Sequence, residues 1–192
     1  SKMDHNIWEQ VCQILASRRE RGLPEIPVSV NLSRRSIFDS SLYDEIVALV
    51  EKYGIEPRLF RIEVTESSYT ENIDLVVSMV TRLQEYGFTV LMDDFGSGYS
   101  SFNAFSDIPV DILKADMVFM RNLEHNPRVA SVFTSIVNMA HALGIPVIAE
   151  GVETKEQYEF LHSVGCDYAQ GYFCARPMDP DAFEAHVNER LS

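Results

Sequence analysis

A chain of 192 residues, 46% hydrophobic and 23% charged, has the composition of one soluble domain with enough apolar material for a sizeable core. Its formal net charge of −13 argues against a nucleic-acid polymer as partner, since such binders carry a basic patch. No apolar run approaches the roughly 20 residues that span a bilayer, and no signal-peptide pattern opens the chain, so no membrane segment is expected.

Strand-like and helix-like patterns alternate from one end to the other. Ile7, Val11, Ile14 and Leu15 recur at helical steps. Val28–Leu32 then reads as a strand that runs into Asn31 and Ser33, and Leu42, Ile46, Leu49 and Val50 mark a second helix. A strand over Leu59–Val64 carries Glu63 and leads to Glu66, and Ile73, Val76, Val77, Val80 and Leu83 form a third helix. The strand Phe88–Met92 runs into Asp93, Asp94 and the glycine-rich Phe95-Gly96-Ser97-Gly98, and Ile112–Lys114 is followed by Asp116. Val132, Phe133, Ile136, Val137 and Ala140 make a fourth helix, after which Pro146–Ala149 reaches Glu150 and Glu153. Thr154-Lys155-Glu156-Gln157 has capping-box form and opens a fifth helix. Tyr168–Tyr172 is the last strand, with Gln170 in it, and an amphipathic piece from Asp181 to Arg190 ends the chain. Gly54, Gly87, Gly144 and Gly165 stand where a glycine closes a helix before the next strand. Strict alternation predicts one α/β domain with a parallel sheet and right-handed crossovers.

All six predicted strands deliver a polar or ionisable residue at or near the C-terminal tip, the end at which α/β folds build ligand sites. Desolvating several like charges is costly without compensation, which bound cations supply. A structural alternative for Asp93 or Asp94 is simply to cap the following segment. Glu63, Asp93, Asp94, Asp116 and Glu150, with Asn31 as a neutral donor, are hard oxygen ligands, and this set favours Mg²⁺, Mn²⁺ or Ca²⁺ over zinc or iron. Several carboxylates can hold two cations ~4 Å apart, as phosphoester-cleaving sites do.

Lys114 is the single cation of the set. A Schiff-base role requires a neutral amine, which surrounding carboxylates disfavour. It reads instead as orienting a water or stabilising phosphate charge, with a structural pairing to Asp116 as the alternative. Gln170 suits a base edge or phosphate, and Tyr172 or Phe173 suits stacking on a purine as well as plain core packing. Cys12, Cys166 and Cys174 lack CxxC spacing and read as buried thiols of a reducing, cytoplasmic compartment. His5, His125, His141, His162 and His186 fit no triad or metal spacing.

These residues, in this order, resemble the EAL-domain family of cyclic di-GMP phosphodiesterases, and the resemblance runs across nearly the whole chain. Asn31-Leu32-Ser33 resembles the family's NxS element and Glu63-Val64-Thr65-Glu66-Ser67 its ExTES. Asp93-Asp94-Phe95-Gly96-Ser97-Gly98-Tyr99-Ser100-Ser101 is similar to DDFGTGYSS, with serine at 97 for the commoner threonine. Leu113-Lys114-Ala115-Asp116 is similar to LKID, Ala149-Glu150-Gly151-Val152-Glu153 to AEGVE, and Gln170-Gly171-Tyr172 to QGY.

The resemblance implies a TIM-type (β/α) barrel that hydrolyses cyclic di-GMP to linear pGpG with two Mg²⁺ or Mn²⁺. Carried over by position, Asn31, Glu63, Asp93, Asp94 and Asp116 or Glu150 would serve the metals, with Asp93 bridging. Lys114 would contact the catalytic water, making Lys114, Asp93 and Glu63 the catalytic group. Gln170, Glu153 and Tyr172 would lie at the substrate. Glu66 would brace the loop that holds Gly96 and Gly98, which in this family couples metal binding to dimerisation.

The Glu-Ala-Leu motif that names the family is not in these residues. An eight-stranded barrel takes ~250 residues. The expectation is therefore a single EAL-like domain over residues 1–192, incomplete at its N-terminus: six parallel strands with helices outside, lacking the first two strands. The strands at Val28 and Tyr168 should be left as apolar edges, in an open barrel or one completed by a homodimer. Reduced turnover is expected. The competing reading is a non-catalytic module that binds cyclic di-GMP or a protein partner, and a lysine Schiff-base lyase is the third. An upstream sensor or cyclase domain, frequent in the family, cannot be derived from these residues.

Overall fold

Six short apolar runs pair side by side in chain order to give one parallel sheet, β1-β2-β3-β4-β5-β6. The computed structural model describes residues 2–97, 109–123 and 126–191. Gly98, Tyr99, Ser100, Ser101 and His125 lie outside the described residues. The strands are β1 (Val28–Leu32), β2 (Phe60–Thr65), β3 (Val90–Phe95), β4 (Ile112–Ala115), β5 (Val147–Glu150) and β6 (Tyr168–Gln170). The helices are α1 (Lys2–Glu20), α2 (Arg34–Ile37), α3 (Leu42–Tyr53), α4 (Glu66–Glu71), α5 (Ile73–Tyr86), α6 (Val118–Leu123), α7 (Pro127–Ala142), α8 (Lys155–Ser163) and α9 (Pro180–Leu191).

The register divides the sheet into two faces of opposite character. Val30 pairs with Ile62, Ile62 with Val90, Met92 with Leu113, Leu113 with Val147 and Ala115 with Ala149. All of these are buried and form one core with Ile46, Leu49, Val76, Val80, Leu83, Phe133 and Val137 of the helices. Because side chains alternate with period two, the intervening residues share the other face. There Asn31 pairs with Glu63, Thr65 with Asp93, Lys114 with Ile148 and Glu150 with Gln170. Leu91 and its partner Ile112 are buried on this second face and stand apart from the main core. The sheet curls as a half-barrel, with the helix-free face inside.

Most predicted elements are present, with shifted ends. A 3-10 turn at Pro57–Leu59 delays β2 to Phe60. β3 continues through both aspartates to Phe95, where the sequence pattern stopped at Met92. β6 ends at Gln170, and the next position requires glycine, since a Cβ at 171 would sit 2.2 Å from the Val152 carbonyl oxygen. The short α2, α4 and α6 were invisible to periodicity, as four to six residues complete too few turns to show it.

The buried face of α1 is Trp8, Cys12, Leu15 and Arg18, while Ile7 and Ile14 point to solvent. Of the four predicted positions Leu15 is buried and Val11 packs partly against the core, while tryptophan and cysteine complete the stripe in place of Ile7 and Ile14. Arg18 is 2% exposed, pairs with Glu184 of α9 and donates to the Pro24 carbonyl at 2.9 Å. Of the three thiols expected to be buried, Cys12 is, while Cys166 and Cys174 are half-buried. The two edges differ: β1 exposes the polar Ser29 and Asn31, whereas β6 exposes the aromatic Tyr168 beside Gln170.

At the N-terminal end of the sheet, aspartates lock strand starts. Asp111 Oδ2 accepts the Val90 N–H at 2.7 Å, and Asp167 Oδ2 accepts the Val147 N–H at 2.8 Å. Phe133 centres the helix layer, fully buried, with ring centroids 5.7 Å from Phe119 and 6.0 Å from Phe160. Phe133→Ala is expected to cost about 3–5 kcal/mol. Urea unfolding would show a lower midpoint at constant m-value; an unchanged midpoint would contradict this packing.

Candidate functional site

On the inner face the strand tips converge on one ammonium group. Lys114 Nζ of β4 donates to Asp93 Oδ1 of β3 at 2.8 Å and to Glu63 Oε2 of β2 at 2.9 Å, and pairs with Glu150 Oε1 of β5 at 2.8 Å. Neighbouring strands lie about 4.8 Å apart, so groups three strands apart can meet at one atom only inside a curled sheet. Lys114 is 4% exposed, Glu63 7% and Asp93 8%. Burial alone would push the amine towards neutrality, but the bonds to Asp93, Glu150 and Glu63 outweigh it and hold the ammonium above its ordinary range. A charged, fully engaged lysine is not a Schiff-base nucleophile. Its partners are these three carboxylates, and the anticipated pairing with Asp116 is not among them.

Simple alternation would aim Asp94 away from Asp93, into the helix layer. A register shift between Met92 and Phe95 prevents this, and Asp94 takes a left-handed φ of 60°. The bulge keeps both carboxylates at the site, where oxygens of Asp93, Asp94 and Glu150 lie within 4.8 Å of one another. Burial first, then the charges of Asp93 and Asp116, raise the Asp94 carboxyl above its usual range. Burial also raises Glu150, against the opposing bond from Lys114. Four carboxylates face one ammonium here. That excess of negative charge, an all-oxygen donor set and the spacing of the trio fit a hard divalent cation.

The other anticipated ligands lie around this group. Asn31 is exposed on β1 beside Glu63 in register. Asp116 Oδ1 accepts the Val118 N–H at 2.7 Å and so caps α6, outside the trio. Glu66 is 7% exposed, and its Oε2 accepts the Gly96 N–H at 2.9 Å. Gly96 has φ 90°, and a Cβ there would come within 2.5 Å of the Phe119 ring, so the turn that Glu66 holds requires glycine. Burial raises the Glu66 carboxyl, the Gly96 bond partly offsets this, and the charges of Asp94 and Asp116 add to it.

Beside the carboxylates opens a cleft of about 260 Å³ lined by Glu150, Glu153, Gln170, Tyr172, Met117 and Arg121, with Gly151 and Gly171. The three anticipated substrate contacts thus share one cleft with a cluster carboxylate. Tyr172 is half-exposed, with the Arg176 guanidinium 4.6 Å from its ring centre. Phe173 instead packs on Tyr158, with centroids 5.3 Å apart. Met117 and Arg121 escaped the sequence reading, as α6 is too short to register as an element. The only available signal was a cation five residues beyond Asp116.

A family model described as "EAL domain" matches residues 1–177. The cyclic di-GMP phosphodiesterase PdeR of Escherichia coli is 35% identical over 174 residues, covering 91% of this chain and 26% of PdeR. Among solved structures, the MucR phosphodiesterase of Pseudomonas aeruginosa in its c-di-GMP complex has a TM-score of 0.90 at 30% identity, covering 95% of this chain and 74% of that one. The EAL domain of Mycobacterium smegmatis DcpA has a TM-score of 0.92 at 26% identity, covering 98% and 84%. The chain spans about a quarter of the length of the curated relatives it matches.

Two outcomes are expected of the metal-free protein. Lys114→Met leaves three carboxylates without their shared cation, and the expected loss is about 3–5 kcal/mol; added Mn²⁺ should then raise the melting temperature of the variant more than that of the parent. An unaltered melting temperature without metal would show the ammonium to be dispensable. Glu66 takes up a proton more readily folded than unfolded. Its contribution to stability is full below the unfolded value of 4.5 and is lost as pH rises through the higher folded value. Relative to Glu66→Gln, the parent should therefore lose stability as pH rises above the unfolded value, and parallel urea midpoints from acid to neutral pH would refute the linkage.

Proposed function

The chain belongs to the EAL-domain family, and from that premise we propose that it hydrolyses one phosphodiester bond of cyclic di-GMP to give linear pGpG. The observation that carries the proposal is the convergence of Glu63, Asp93, Asp94 and Glu150 around Lys114, next to a cleft lined by Gln170, Glu153 and Tyr172. The c-di-GMP bound by the MucR phosphodiesterase supports the choice of substrate.

Asp93, Asp94 and Glu150 would hold a divalent cation, with Glu63, Asn31 and Asp116 available around them. The donor set would serve two Mg²⁺ or Mn²⁺ ions, with Asp93 available to both. Such a cation supplies Lewis acidity and a bound water of lowered pKa. The remaining work falls to the chain's own side chains. Lys114 fixes Glu63, Asp93 and Glu150 in place and offers an ammonium that cannot lose its proton near neutrality. Through the carboxylates it holds and through its charge, it would position the attacking water and screen the charge that builds on the phosphate. Water oxygen forms the new P–O bond, the P–O3′ bond breaks, and the proton ends on O3′. Gln170 donates to a base edge or phosphate oxygen, and Tyr172 stacks on guanine, its ring held by Arg176. Glu66 keeps the turn at Gly96 in shape.

No described helix is long and apolar enough to cross a membrane. A cytoplasmic location, a homodimer and a sensor or cyclase unit elsewhere in a longer protein complete the proposal. One relative, MucR, is named as both diguanylate cyclase and cyclic di-GMP phosphodiesterase.

Incubation with cyclic di-GMP and Mg²⁺ or Mn²⁺, followed by chromatography, tests the assignment. The parent should form pGpG, chelation should stop it, and Asp93→Asn should slow it by more than about a hundredfold through the lost ligand. Binding without cleavage would assign the chain to the receptor class; neither binding nor cleavage by a folded sample would overturn the proposal.

A further inference from the structure

The cleft has a single basic residue among its described lining, Arg121, and two carboxylates, Glu150 and Glu153. A ligand with two phosphates entering an acidic cleft needs positive charge beyond the strand tips. Lys114 cannot supply it, because its three donor directions are spent on Asp93, Glu63 and Glu150. Arg121 is exposed, and among the described residues its guanidinium has no side-chain hydrogen bond or ion pair. The backbone that carries it is nonetheless fixed. Asp116 caps the start of α6, Phe119 and Met120 are buried beneath it, and the Met120 carbonyl accepts from Gln157 Nε2 at 3.1 Å. Gln157 is itself buried, and its Oε1 accepts the N–H groups of Glu153 at 2.8 Å and Thr154 at 3.2 Å. One amide thus brackets the two walls of the cleft, the Glu153 turn and the helix of Arg121.

We infer that Arg121 is the phosphate clasp of this cleft. Its planar guanidinium binds a phosphate oxygen pair of the dinucleotide outside the carboxylate cluster, while Gln157 sets the spacing of the walls. The inference rests on the dinucleotide reading above and adds a residue that tunes affinity and stands apart from the bond-breaking chemistry.

Initial rates on cyclic di-GMP with Mg²⁺ test it, using the parent, Arg121→Ala, Arg121→Lys and the control Arg128→Ala on the exposed side of α7. Loss of a charge-assisted bond should raise KM about tenfold or more in Arg121→Ala, with the change in kcat within about twofold. Arg121→Lys should fall between, since charge stays and the fork is lost. Arg128→Ala should match the parent. Added salt should raise KM for the parent and do so less for Arg121→Ala. An unchanged KM in Arg121→Ala, or a loss confined to kcat, overturns the clasp while leaving the phosphodiesterase assignment standing. If the parent binds without turnover, the same tenfold criterion applies to Kd by calorimetry. A parent that neither binds nor cleaves overturns both.

Discussion

The arrangement depends on one buried ammonium. Lys114 sits where four strands bring their tips together, and without it Glu63, Asp93 and Glu150 would be like charges held in a space of low polarisability. A single cation among three carboxylates lowers their repulsion enough for the chain to fold, yet leaves excess negative charge. That residue of charge is what would let the group hold a cation instead of forming a closed ion-pair network. Folding and ligation draw on the same imbalance, and the lysine tunes how large it is.

Around this group the fold provides rigidity at several levels. The apolar face of the sheet is packed against helices, so the strand tips cannot drift apart. The bulge at Asp94 adds a second carboxylate from the same strand, which regular pleating forbids. Glu66 fixes the turn beyond it through the Gly96 amide, and Gln157 fixes the far wall of the cleft. Glu66 and Gln157 are buried polar side chains that bond backbone groups, whose positions vary less than those of flexible side chains.

How much of this could be read beforehand follows from the range of each signal. Glu63, Asp93, Lys114 and Glu150 were legible because an ionisable residue ending an apolar strand is a local pattern, and parallel strands bring their ends together. The closing glycines and the Thr154 capping box were legible for the same reason: each acts within one turn of chain. Where the structure differs, the cause lies at longer range. The buried stripe of α1 depends on which side meets β1. Asp94 depends on a bulge created between two strands. The bond from Gln157 to the Met120 carbonyl, next to Arg121, joins segments 37 residues apart in sequence, which no local spacing encodes.

The two faces of the sheet also constrain how the chain can assemble. Because its side chains alternate with period two, a strand that paired one residue out of step would exchange its faces. For β2, β3 or β5 that error would drive Glu63, Asp93 or Glu150 into the helix-packed interior and turn valine and isoleucine outward. The charged cluster would therefore penalise misaligned pairing more than a uniformly apolar barrel lining would. Residues retained for ligand chemistry would then also keep the folding landscape smooth, and replacing them wholesale by well-packed hydrophobic residues would strengthen the native contacts while admitting slipped competitors.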